Sequence, residues 1–354
     1  MECIFNTILN MSIIIVDLFF NFAKKKNLFN MIKVSKIEYY LPENVLTNED
    51  LEKEFPEWSS DRIHEKVGIR QRHIASDGET VLELAVKSSE KLFENYDRNK
   101  VDFILFCTQS PDYFLPTTAC ILQDRLGLRR NIGAMDFNLG CSGFVYGLAF
   151  AKGLIAAGIA KSILLITSET YTKHINPKDK ANRSIFGDAS ASVIVEKDEN
   201  AKDYQFCLGT DGSGAENLIV KKGAFKTDFQ LNPENEFHPE NLYMNGPEIF
   251  NFTIENIPGL VRETLETNGV TMDDIDHFVF HQANSFMLNY LRKKTKIPAE
   301  KFYIDMENTG NTVSATIPIA LRNMMDKGML KEGDRVLMAG FGVGYSWGAT
   351  VLEI

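Results

Sequence analysis

Nothing in the 354-residue chain pairs its cysteines: Cys3, Cys107, Cys120, Cys141 and Cys207 are odd in number and no Cys-X-X-Cys spacing occurs. That excludes a disulfide framework and a zinc knuckle, and free thiols suit a reducing, cytoplasmic setting. Positive charge is also scarce. With 38 Lys and Arg against 48 Asp and Glu the formal charge is −10, so no global basic field draws in nucleic acid, and an anionic partner must meet a local patch. Eleven prolines and 24 glycines are too few for a collagen-like or low-complexity chain, and 44% hydrophobic residues exclude general disorder. Walker loops, dinucleotide fingerprints and metal-ligand spacings are missing as well. The glycine clusters at 209–214 and 340–344 lack the flanking strand and helix that such motifs need, so neither a metal nor a redox cofactor is expected.

Residues 1–30 differ from the rest. Their apolar stretch from Met11 to Ala23 is interrupted by Asp17 and followed by Lys24, Lys25 and Lys26. A secretory signal wants its cations first, and the run is short for a membrane span. We read it as a leader, disordered or created by a mis-assigned start, because Met31 opens a well-patterned strand; a membrane-surface helix is the weaker reading.

From Met31 onward the chain carries a weak internal repeat. Asp102-Phe-Ile-Leu-Phe-Cys107 and Asp276-His-Phe-Val-Phe-His281 share one pattern, that of a short buried strand. A glycine-led turn into a helix follows each, at Gly140-Cys141-Ser142-Gly143 and at Gly310-Asn311-Thr312. A further apolar strand follows each helix (162–167 and 335–339), and each half closes on a last strand after a glycine turn (187–195 and 344–352). Alternating strands and helices imply an α/β architecture with two mainly parallel sheets related by a pseudo-twofold, in halves 31–200 and 201–354.

Three residues at these loop ends carry chemical potential. Cys141 precedes a helix expected over Phe144–Ile159, amphipathic in pattern, whose dipole and free N–H groups should lower the thiol pKa. Flanking glycines admit a substrate to the sulfur. The plainer reading, a small buried cysteine, applies to Cys107 and Cys120, which have no glycine neighbours. His281 ends a strand where open α/β sheets build their sites. Asn311 occupies the second half's counterpart of the Cys141 turn. A strand cap and ordinary turn chemistry would each explain one of these alone; a nucleophile, a base and an amide at repeat-related positions form a stronger set.

Gly140-Cys141-Ser142-Gly143, His281-Gln-Ala-Asn284, Asn308-Thr-Gly-Asn-Thr312 and Gly340-Phe-Gly-Val-Gly-Tyr-Ser-Trp-Gly348, with Gly68-Ile-Arg-Gln-Arg-His73 and Phe186-Gly-Asp188, together resemble β-ketoacyl-acyl-carrier-protein synthase III of the thiolase superfamily. The likeness runs from about Met31 to Ile354. It implies a thiolase-like fold, two pseudo-twofold-related halves in an αβαβα sandwich, and a Cys-His-Asn triad at Cys141, His281 and Asn311. Cys141 would take an acyl group from a thioester, and a malonyl thioester would lose carbon dioxide and attack it. Oxyanion donors would come from the backbone of Cys141 and of the Gly342-Val343-Gly344 loop. The resemblance also implies a homodimer, in which Leu115 would enter the neighbouring subunit's acyl pocket.

The chain departs from that pattern in places. Arg62 stands where the family carries a tryptophan that stacks on adenine, and Lys66 and Lys173 stand where arginines help to hold the nucleotide. Phe286 replaces a usual arginine, but Arg292, Lys293, Lys294 and Lys296 form a basic patch suited to an acidic acyl carrier protein. Val343 replaces a glycine and keeps its backbone donor. These departures leave a rival reading open, a non-decarboxylating acyltransferase acting on an amine or alcohol. Asn311 beside His281 argues for carbon–carbon bond formation instead, and an intact triad argues against a degenerate scaffold.

Overall fold

Strand β1 (Ile32–Tyr40) opens the described part of the chain, residues 31–227 and 239–354 of a computed structural model. The leader read into residues 1–30 lies outside it. The first half continues through β2 (Asn44–Thr47), α1 (Asn48–Glu54), α2 (Ser60–Val67), β3 (Gln71–Ile74), α3 (Val81–Phe93), β4 (Phe103–Cys107), α4 (Thr118–Arg125), β5 (Gly133–Phe137), α5 (Gly143–Ala156), β6 (Ser162–Glu169), α6 (Lys180–Arg183) and β7 (Ala189–Lys197). The second half holds β8 (Phe206–Thr210), β9 (Leu218–Ile219), β10 (Tyr243–Met244), α7 (Gly246–Thr267), β11 (His277–Phe280), α8 (Ser285–Thr295), β12 (Phe302–Tyr303), α9 (Thr316–Asp326), β13 (Arg335–Gly342) and β14 (Ser346–Glu353).

Two five-stranded sheets result, ordered β1-β7-β6-β4-β5 and β8-β14-β13-β11-β12. They match strand for strand. In the first, β6, β4 and β5 are parallel, with β7 and β1 added antiparallel; β13, β11, β12, β14 and β8 repeat this in the second. Even the opening aspartates match, since Asp102 N–H donates to Ser162 O at 2.8 Å and Asp276 N–H to Arg335 O at 2.9 Å.

Strand periodicity builds the layers. In β6, Ile163 and Leu165 face a core shared with the other sheet, and Leu164 and Ile166 face an outer core against α3 and α4. In β13, Val336 and Met338 turn inward, and Leu337 and Ala339 turn outward towards α7 and α8. Helices α5 and α9 fill the middle, giving the αβαβα sandwich. The middle position explains a correction. Helix α5 starts at Gly143 and ends at Ala156, and its first turns are buried on nearly every side rather than amphipathic. Gly147 shows how close the packing is, because a Cβ there would meet Leu165 Cδ1 at 2.5 Å. A second correction concerns Cys120. It is exposed on α4, whereas Cys107, Cys141 and Cys207 are buried, because α4 covers one face of the sheet and turns its other side to water.

Candidate active site

Cys141 lies between β5 and α5, in a turn closed by Gly143 N–H donating to Gly140 O at 2.8 Å. The backbone N–H groups of Cys141 and Val343 lie near its sulfur and favour its charged form. Gly342 has to be glycine for this approach, since a Cβ would sit 2.9 Å from Sγ. The expectation of a lowered thiol pKa is overturned: burial, helped by the charge of Glu169, pushes Cys141 up to about 12. The helix terminus and the two N–H groups oppose that shift without matching the cost of placing a thiolate among apolar side chains.

His281 follows β11 and is buried; its N–H continues the ladder to Ala339 O at 2.8 Å. Its Nδ1 lies 2.8 Å from Thr316 Oγ1, and that hydroxyl reaches Val313 O at 3.1 Å. With the threonine proton on Val313 O, the hydroxyl accepts Nδ1–H and leaves Nε2 as an acceptor facing Asn311. Burial pushes His281 down to about 3, so the imidazole is neutral at pH 7. Cysteine and histidine therefore rest as neutral thiol and neutral base, not as an ion pair.

Asn311 sits in the turn before α9. Its Oδ1 accepts Val313 N–H at 2.9 Å, which fixes the amide and directs Nδ2–H to His281 Nε2 at 3.5 Å. The turn is stitched across the halves: Asn311 N–H donates to Ile185 O at 2.8 Å, and Gly187 N–H to Asn311 O at 3.0 Å. Gly310, at φ +71°, leaves room for Arg72 underneath. Arg72 is fully buried and donates to Leu46 O, Asn48 Oδ1 and Ser184 O, propping the turn from below.

Cys141, His281, Asn311 and Gly342 line one pocket whose other walls include Ile185, Phe186, Leu218, Met244, Ile249 and Phe341. Apolar walls around a few convergent polar groups suit a small organic ligand. Among the described residues, no three His, Cys, Asp or Glu side chains come together as metal ligands, and no helix is long and apolar enough to cross a membrane.

The other singled-out residues lie outside this pocket. Arg62 and Lys66 are exposed on α2, with Lys66 Nζ 5.5 Å from the centre of the buried Trp58 ring. Lys173 donates to Ser76 O and Asp77 O at 3.0 and 3.2 Å. Lys293, Lys294 and Lys296 are exposed at the end of α8, and Arg292 is half-buried beside them. Leu115 is 82% exposed and touches no part of its own chain's pocket. Two residues were missed by sequence reasoning. Thr316 carries no motif signal, and Glu169 could have been noticed as a lone acid ending an otherwise uncharged strand.

Residues 135–212 match the family described as 3-oxoacyl-[acyl-carrier-protein (ACP)] synthase III, and residues 265–354 match its C-terminal part. A β-ketoacyl-[acyl-carrier-protein] synthase III from Clostridium perfringens (strain ATCC 13124) is 37% identical over 318 residues, covering 89% of this chain and 97% of the relative. The chain belongs to the 3-oxoacyl-acyl-carrier-protein synthase III family. A β-ketoacyl-[acyl-carrier-protein] synthase III 2 from Halalkalibacterium halodurans is 36% identical, over 91% of this chain and 96% of that one. Among solved structures of the family, one 3-oxoacyl-(acyl-carrier-protein) synthase III superposes with a TM-score of 0.89 at 44% identity, covering 92% of this chain and all of the other. The Burkholderia xenovorans LB400 enzyme gives 0.85 at 34% identity, covering 92% and 94%. The likeness spans both halves, and so takes in both turns of the site.

Proposed function

We propose that this protein catalyses the decarboxylative condensation of an acyl group, held on Cys141, with a malonyl thioester carried by acyl carrier protein. The observation that carries the reading is the convergence of Cys141, His281 and Asn311 on one pocket, with two backbone N–H groups beside the sulfur. In the first step Cys141 attacks the thioester carbonyl. The thiol proton passes to His281 Nε2 and on to the departing thiolate, and the oxyanion takes hydrogen bonds from Cys141 and Val343 N–H. In the second step the malonyl carboxylate leaves as carbon dioxide, and its bonding electrons form an enolate. Before this step the ring exchanges its Nδ1 proton for one on Nε2 through solvent as the first thiol product leaves. Asn311 Nδ2–H and His281 Nε2–H then stabilise the enolate oxygen, and Thr316, its hydroxyl rotated, donates to Nδ1 and supports this second tautomer. The enolate carbon attacks the acyl carbonyl, the C–S bond breaks, and the thiolate takes up one proton.

The finer assignments belong to the same reading. Lys293, Lys294, Lys296 and Arg292 would meet the acidic carrier protein, and Arg62 and Lys66 would serve the carrier or its nucleotide from the neighbouring helix α2. Helices α2 and α8 adjoin so closely that a Cβ at Gly68 would lie 2.3 Å from Ser285 Oγ. Leu115 would serve the acyl pocket of a second copy in a homodimer, its exposure being what such a role needs. The chemistry calls for no metal or redox cofactor, and a cytoplasmic setting fits its thioester substrates. Intact-protein mass spectrometry tests the reading. Acyl-CoA or acyl-carrier-protein donors should leave an adduct on wild type but not on Cys141→Ala, and malonyl carrier should discharge it as a β-ketoacyl product. Discharge by amines or alcohols alone would show simple acyl transfer instead.

A further inference from the structure

Behind Cys141 lies a carboxyl that this reaction does not use. Glu169, the last residue of β6, is fully buried. Its Oε1 accepts Gln109 N–H at 3.1 Å and the Ser314 hydroxyl at 3.4 Å. Its Oε2 accepts the same N–H at 3.1 Å, the Ser110 hydroxyl at 2.8 Å and the Thr108 hydroxyl at 3.5 Å. Every one of these donors is neutral. They come from two places: the loop after β4, and the turn that carries Asn311.

The repeat gives this position meaning. Glu169 ends β6 as Gly342 ends β13, and Gly342 packs on Cys141. Glu169 instead reaches Ser314, three residues past Asn311. Through Gln109 it also bears on the nucleophile's own loop, because a Cβ on Gly140 would meet Gln109 Oε1 and Val343 Cγ1 at 2.6 Å each. The ionisable groups around the carboxyl are Cys141, Cys107 on β4, Tyr171 after β6 and Asp188 before β7; each is acidic. A carboxylate here therefore opposes a thiolate at Cys141.

We propose that Glu169 is a positioning residue for Cys141: its carboxyl ties the Thr108–Ser110 loop to the Ser314 turn, and its ionisation withholds the thiolate. The inference rests on Cys141 being the reactive group. Burial pushes Glu169 up to about 8, so it holds its proton at neutral pH, with one of the surrounding hydroxyls turned to accept it, and loses it on the alkaline side.

Alkylation of Cys141 by iodoacetamide, followed by peptide mass spectrometry from about pH 6 to 10, tests this in wild type and Glu169→Gln. Glutamine keeps the shape; of the Ser110 and Ser314 hydroxyls, the one facing its NH2 can turn to accept, and the other still donates to the amide oxygen. The two profiles should coincide near neutrality, and the variant should react about five-fold faster or more near pH 9, where wild type carries the extra charge. Parallel profiles would overturn the inference. Alkylation needs no thioester, so failure of the condensation reading is scored separately. Should Glu169→Gln not fold, infrared titration of wild type decides. Asp188, pushed up to about 6, is ionised first, leaving a protonated-carboxyl band that vanishes near pH 8. No such band would contradict the assignment.

Discussion

The two halves run the same strand order, yet the residues at their strand ends have parted. In the first half β4 ends on Cys107, whose thiol is spent on Leu139 O at 3.0 Å. The matching place after β11 holds His281, with a ring nitrogen open to the pocket. The glycine turn of the first half presents a thiol, and that of the second an amide. Strand β6 ends on a buried acid and β13 on a glycine. Pairing and opening aspartates are alike in both, so the comparison separates what the scaffold needs from what the chemistry needs.

Among changes at the strand ends, the largest effect should follow from making the second half's strand end less open. Gly342→Ala places a methyl against Sγ, and misplacing the nucleophile should cut single-turnover acylation of Cys141 by about 100-fold. A near-normal rate would mean that the approach is looser than the geometry shows. Thr316→Val removes the hydroxyl that serves both tautomers of His281. It should lower condensation by about ten-fold, the worth of one hydrogen bond, while iodoacetamide labelling of Cys141 is unchanged.

Smaller effects sharpen what the halves share. The side chains of the opening aspartates Asp102 and Asp276 accept Ser162 N–H at 3.3 Å and Arg335 N–H at 2.8 Å, so Asp102→Ala and Asp276→Ala should each cost about 1 kcal/mol or more in urea unfolding. Asp102 should cost more, because it also pairs with Arg129. The smallest effect is an expected flatness in pH. His281 takes a proton only as pH falls towards about 3, so the acylation rate should show no imidazole inflection between about pH 5 and 7. A limb near the ordinary histidine value would show that the ring is more hydrated than its burial implies.

Much of this was legible in the chain because strand periodicity and glycine turns are local signals. The order of Asp102, the Cys141 turn and their counterparts disclosed the duplication, and the duplication pointed to Asn311. The thiol's electrostatics were not legible. A helix N-terminus can be read from sequence, but the desolvation that outweighs it depends on Ile185, Phe186 and Leu218, brought in from distant segments. Thr316 and Glu169 escaped for the same reason, since their partners His281, Gln109 and Ser314 assemble only on folding. The exposure of Cys120 shows the limit of residue-type rules, since cysteine's usual burial says nothing about which side of α4 meets water.

Division of labour between the two turns is tested most directly by separating the half-reactions in Asn311→Ala. The account predicts that acyl-Cys141 forms within about three-fold of the wild-type rate and then persists when malonyl carrier is added, condensation falling by about 10²–10³-fold for one lost oxyanion donor. Acylation lost in step with condensation, or condensation retained, would contradict it.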